Sequence, residues 1–211
     1  MRFLAILTSF VSVCFVHAQH TSLNQVKQAF QAAKVAADTM IVFNPSILLD
    51  VAFPQAVGPA VKVRAGVQLP RNETAIPPTF SIVANGRQPR GEFVVAMVDL
   101  DAPTPQMPNI SQFRHFLGGG FIPLKARDGL SLLSNSTPAV SEFFQPTPPA
   151  GSDPHRYVFL LYAQSKAFAT QTIVDPTRSL EFFSISQFAR DVGLGNPLGG
   201  TFMRVGPDPT A

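Results

Sequence analysis

From Leu23 onward, apolar residues recur at alternating steps of three and four: Leu23, Val26, Phe30, Ala33, Ala37 and Met40. That spacing marks one face of a helix. Ser22 with Gln25 can form a capping box, so residues 22 to 40 are expected to be one amphipathic helix within an N-terminal helical segment, 19–42. The period changes to two between Val61 and Leu69, where Val61, Val63, Ala65, Val67 and Leu69 alternate with Lys62, Arg64, Gly66 and Gln68. This pattern predicts a half-buried strand. Two runs, Phe93 to Asp99 and Tyr157 to Tyr162, are apolar almost without interruption, as in strands covered on both faces. A helix is predicted from Ser184 to Val192, capped by Ser184 and Gln187 and ended by Gly193. A short strand is predicted from Thr201 to Val205.

The first eighteen residues carry a different pattern. Arg2 precedes an apolar run from Phe3 to Val16, and Val16-His17-Ala18 offers a small residue at a cleavage point. The layout is that of a secretory signal peptide, and the run is too short to span a membrane. The expected product is secreted and extracellular, starts at Gln19, and forms one domain over 43–211 behind the helical segment. Cleavage removes Cys14, the only cysteine, which excludes thiol catalysis, thiolate metal sites and disulfides in the mature chain.

Composition narrows the reading. Twenty prolines spread through 211 residues suit short strands and turns better than long helices. The formal charge is +3, but its sixteen basic and thirteen acidic residues are scattered and make no basic face for nucleic acid. Three sequons, at Asn72, Asn109 and Asn135, fit surface loops of a glycosylated secreted protein.

Chemistry is expected where the buried strands end. The first runs into Asp99-Leu100-Asp101-Ala102-Pro103, and residues two apart in an extended segment share a face, so both carboxylates are expected to point the same way. The second begins His155-Arg156-Tyr157, with His155 and Tyr157 on one face and Arg156 on the other. His115 lies between them in sequence, amid apolar neighbours. Aspartates beside a proline are commonly turn-formers, and a lone histidine is commonly a satisfied core residue.

Taken together these segments resemble the phosphatidylethanolamine-binding protein family, also called the Raf-kinase-inhibitor-like family. The resemblance rests on Asp99-Leu100-Asp101-Ala102-Pro103, His115-Phe116-Leu117 and Pro154-His155-Arg156-Tyr157-Val158, with Pro148-Pro149-Ala150-Gly151 at the place of a family loop. Phe43 to Ile47 and Phe182 to Gly200 extend it to roughly residues 40 to 205. It implies a mainly β, two-sheet antiparallel fold with a few peripheral helices. It also implies a pocket for phosphate, acetate or a phospholipid headgroup such as that of phosphatidylethanolamine. The positions carried over are Asp99, Asp101, Pro103, His115, Pro149, His155 and Tyr157, with a backbone N–H near Gly151 as a further donor.

Tyr157 and a histidine can donate to phosphate oxygens. The carboxylates would orient a histidine, stay partly protonated, or meet an ammonium group. Leu100 stands where the family has proline. Gly118-Gly119-Gly120 follows Leu117 where larger residues are usual, and is expected to form a tight, flexible bend. No Ser-His-Asp order, nucleophile elbow or glycine-rich lysine loop appears, so binding without turnover, and without a cofactor or metal, is the leading expectation. Inhibition of a serine protease or carboxypeptidase, through a surface such as Gln19 to Leu23, is the alternative. A zinc or acid–base hydrolase built from two Asp and two His is the third reading.

Overall fold

A computed structural model describes residues 22–83, 89–127 and 129–208. The expected signal-peptide segment and residues 19–21 of the expected inhibitory surface lie outside them.

The spine is a pair of antiparallel strands, β5 (Phe93–Asp99) and β8 (His155–Ala163), in register from Phe93 opposite Ala163 to Asp99 opposite Tyr157. Every residue of β5 is buried, as is all of β8 except Arg156 and Ala163. Their side chains divide by parity between two cores. Val94, Ala96, Val98, Val158, Leu160 and Tyr162 face one core. It is completed by α1 (Leu23–Ala32) and α4 (Ile185–Asp191), through Phe30, Ile185 and Phe188. Val95, Met97, Tyr157, Phe159 and Leu161 face the other, against Leu49, Val51 and Phe53 of β1 (Leu48–Phe53) and Phe80 and Ile82 of β4 (Thr79–Val83). Both faces of the central sheet are thus covered, which explains the unbroken apolar runs.

The remaining strands are β2 (Val61–Lys62), β3 (Gln68–Leu69), β6 (Phe113–Pro123), β7 (Ser131–Ser134) and β9 (Gly199–Val205). Among the described residues the strand order is β2-β1-β4-β7-β6-β5-β8-β9-β3. The short pairing of Ile122 and Pro123 with β7 joins the two halves. The fold is therefore mainly β, with the two expected sheets joined as halves of one curled nine-stranded sheet and helices at its edges. Among the described residues all strand pairs are antiparallel except the two-residue β3–β9 pair.

Four local expectations change. Residues 61–69 are not one strand but two, because Val67 N–H turns back to the Arg64 carbonyl at 2.9 Å and Gly66 adopts φ +84°. β2 then pairs with β1 and β3 with β9, so a link of five residues connects the two ends of the strand order and closes the curl. The 22–40 helix breaks at Lys34, which is left-handed at φ 56°, before α2 (Val35–Asp38). The Arg156 guanidinium takes the Ala33 carbonyl at 2.7 Å, just before the break. Gly118 to Gly120 are not a bend: they lie inside β6. A Cβ on Gly119 would run into Phe168 and Gln164, so this glycine answers to packing. The last strand starts two residues early, at Gly199.

The C-terminal helix forms as its caps dictate, with Ser184 Oγ accepting from Gln187 N–H and Gly193 at φ +66° after the last turn. No helix of the described residues is long and apolar enough to cross a membrane.

Candidate functional site

Three strand termini converge. Asp99 ends β5, His155 and Tyr157 begin β8 directly opposite, and His115 lies on the neighbouring β6. Rigid central strands therefore place all four side chains at one end of the sheet. Two loops close over them, bringing Ala102, Pro103 and Ile110 from one side and Phe144, Thr147 and Pro149 from the other. With Phe113 these residues line a cavity of about 150 Å³. That is smaller than a typical ligand pocket of about 300–1,000 Å³. It admits a phosphate- or acetate-sized group and leaves the rest of any larger molecule outside.

Asp99 is the hub. It is 2% exposed, and its carboxylate accepts from the Asp101 N–H at 2.8 Å and from His155 Nδ1 at 2.8 Å. The Tyr157 hydroxyl lies near enough to feel its charge. Burial, followed by the charge and hydrogen bond of Asp99, pushes the Tyr157 hydroxyl far above its ordinary value. It stays a protonated donor. Asp99 thus orients a histidine beside a protonated tyrosine.

His115 is held differently. Its Nδ1 lies 2.7 Å from the Phe144 carbonyl, which can only accept, so Nδ1 carries the proton and Nε2 is left for a ligand. Burial lowers its proton affinity below the usual histidine range. The Phe144 bond and Asp99 pull it back up, and His155 pushes it down again. The resting ring is a neutral imidazole, stacked edge-on to Tyr157 with centroids 5.0 Å apart.

Two expected wall residues lie elsewhere. Asp101 does not share a face with Asp99, because the chain leaves the strand at Leu100 and folds back on the Asp99 carboxylate. Asp101 points to the other face, where its carboxylate accepts from Arg156 Nε at 2.9 Å, Nη2 at 2.7 Å and the backbone N–H at 2.7 Å. Arg156 also reaches Asp38 at 2.7 Å, so this network clamps the helical segment behind the site. Gly151 is exposed, at φ +81°, and is not among the lining residues. Pro103, Pro149, His115, His155, Tyr157 and Asp99 do line the cavity.

Leu100 N–H donates to the Arg156 carbonyl at 3.1 Å, a ladder bond that a proline could not make. Arg114 points away from His115, as strand parity requires, and lies over the Phe183 ring at 5.1 Å.

Ser152 is the residue that the sequence pattern missed. Its Oγ lies 2.8 Å from His155 Nε2, completing an Asp99–His155–Ser152 chain. Only folding brings Asp99 to this loop, so spacing offers no signal for it. Phe113, two residues before His115, could have been found by strand parity. The loop residues Ile110, Phe144 and Thr147 carry no periodicity that marks them.

A family model described as phosphatidylethanolamine-binding protein matches residues 59–203. The chain belongs to that family. Among its relatives, the Arabidopsis thaliana protein FLOWERING LOCUS T is 27% identical over 177 residues, covering 84% of this chain and 90% of its own length. CEN-like protein 1 of Nicotiana tabacum is 28% identical, covering 85% and 92%. Among solved structures, a carboxypeptidase Y inhibitor in complex with its cognate proteinase has a TM-score of 0.74 at 22% identity, covering 88% of this chain and 96% of that one. The phosphatidylethanolamine-binding protein of Plasmodium vivax has a TM-score of 0.67 at 14% identity, covering 86% and 97%. At those identities the two structures speak for the fold.

Proposed function

We propose that this chain is a secreted binding protein whose pocket takes a small anionic group, such as the phosphate of a phospholipid headgroup, without turnover. The observation that carries the reading is a cavity of about 150 Å³ in which His115 is fixed through Nδ1, so that Nε2 faces a ligand. A phosphate oxygen there would draw a proton onto Nε2 and create a charge-assisted hydrogen bond. The carboxylate that would otherwise repel the anion is already occupied by His155 and the Asp101 N–H.

The Asp99–His155–Ser152 chain has the composition of a hydrolytic relay, but its surroundings favour an architectural role. Ser152 N–H is spent on the Pro149 carbonyl at 3.1 Å, and its hydroxyl also donates to the Asp153 carbonyl at 2.9 Å. Acyl transfer needs donors aimed at a developing oxyanion, and this N–H is not available for that.

The test is thermal unfolding with O-phosphoethanolamine. At millimolar ligand we expect a rise in Tm of a few degrees, since saturation to about 100 Kd stabilises by roughly 2.7 kcal/mol, and we expect His115→Ala to abolish it. An unchanged Tm in the unmodified protein would refute the pocket reading. A second reading, peptidase inhibition, is favoured by the solved inhibitor with which this chain shares its fold. It predicts loss of activity in a panel of serine carboxypeptidases and proteases; full activity at ~10 μM protein would dismiss it, since even weak complexes register at that concentration.

A further inference from the structure

A second and larger concavity lies against β1, β4 and β7, with a volume of about 870 Å³ and no lining residue in common with the His115 cavity. That volume falls within the ~300–1,000 Å³ of small-molecule sites. Its floor is apolar. Leu48 and Val83 come from the paired strands β1 and β4, and Leu124, Leu130 and Leu132 from β7 and the turn before it. Leu124 and Leu132 are exposed at 44% and 45%, although they sit side by side, with Leu124 N–H on the Leu132 carbonyl at 2.8 Å.

The rim is cationic. Lys125 and Arg127 border the concavity, both are exposed, and neither side chain has an ion pair among the described residues. A third cation, Lys62, lies 3.3 Å from the Asp50 carboxylate inside the same site. Among the described lining residues these four charges leave an excess of two positive, carried by Lys125 and Arg127.

We propose that this concavity binds a single-chain anionic amphiphile, with its acyl chain on the leucine floor and its carboxylate against Lys125 and Arg127. Charge complementarity selects the head group and the apolar floor selects the chain. A neutral chain would bring no anion to Lys125 and Arg127, and a cationic one would be repelled by them. Chain length should matter in the way apolar burial dictates, with each methylene worth about a fourfold change in affinity.

Isothermal titration of the full chain with dodecanoate, below its micellar concentration, tests this. Saturable one-to-one binding is expected, with decanoate at least about tenfold weaker. The double substitution Lys125→Glu/Arg127→Glu should weaken dodecanoate at least tenfold. Both side chains are exposed, so folding should survive. Leu132→Ser, also at an exposed position, should weaken it independently. Saturating O-phosphoethanolamine, which would fill the His115 cavity, should leave the dodecanoate affinity unchanged, which keeps this site separate from the anion pocket whatever becomes of that reading. Equal affinity for dodecyltrimethylammonium would overturn the proposal. So would indifference to the charge reversal, no binding at millimolar dodecanoate, or association only with phosphatidylserine vesicles.

Discussion

His115 shows how one residue couples stability to binding. Its imidazole is depressed first by burial, with the Phe144 carbonyl and Asp99 opposing and His155 reinforcing. The unfolded chain takes up a proton near the ordinary value of 6.5, whereas the folded protein resists until lower pH. The stability contributed by the neutral ring is therefore full above about 6.5 and is lost as the pH falls below it. An anion at Nε2 reverses the preference by stabilising the protonated ring. We expect the ligand-free Tm to drop between pH 7 and 5, with a shallower drop in His115→Asn, while affinity for sulfate rises over the same interval. Sulfate does not titrate there, so a flat affinity profile would remove His115 from the binding step.

Secondary-structure elements carry constraints that single residues hide. β6 runs for eleven residues through three consecutive glycines, and Gly120 N–H donates to Gln164 Oε1 at 2.6 Å. A side chain at Gly119 has no room beside Phe168 and Gln164. Gly119→Ala should cost about 1–3 kcal/mol by overpacking, seen as a lower urea midpoint with an unchanged slope. An unchanged midpoint would mean that Phe168 yields at no cost. At the same scale, Asp101 and Arg156 illustrate a local rule overridden. Strand parity holds as far as Asp99, where the ladder continues, and fails one residue later, where the chain bends back on its own carboxylate. The two aspartates part company there. Removing one partner of such a nearly buried pair is costly because the other is left uncompensated.

Across the whole molecule, the N-terminal helix is part of the fold that supports the site. Phe30 is fully buried, stacks on Phe43 at 3.9 Å and meets the Phe202 ring edge-on at 5.5 Å. The Arg156 network ties the same segment to Asp101, one strand end from the cavity. Phe30→Ala should therefore destabilise the entire domain, by about 3–5 kcal/mol, in one cooperative transition. A separate early transition would show that the helix unfolds apart from the sheet. The curl of the sheet has a similar global origin, since β2 and β3 are nearest neighbours in sequence yet stand at opposite ends of the strand order.

What the sequence determined by itself follows from periodicity and linked motifs. Continuous apolar runs demanded strands covered on both faces, and β5 and β8 are those strands. The parity of His155, Arg156 and Tyr157 follows from the two-residue repeat of any strand, and the capping of α4 from the chemistry of its own first turn. Three linked motifs were enough to identify the family. Tertiary structure alone decided the rest. It turned Asp101 away to Arg156 and split the 61–69 alternation between two sheet edges. It also broke the first helix at Lys34, beside the carbonyl that Arg156 takes, and joined the His155–Ser152 pair to Asp99. Each of these depends on a partner far away in sequence, and local spacing holds no information about a contact that only folding creates.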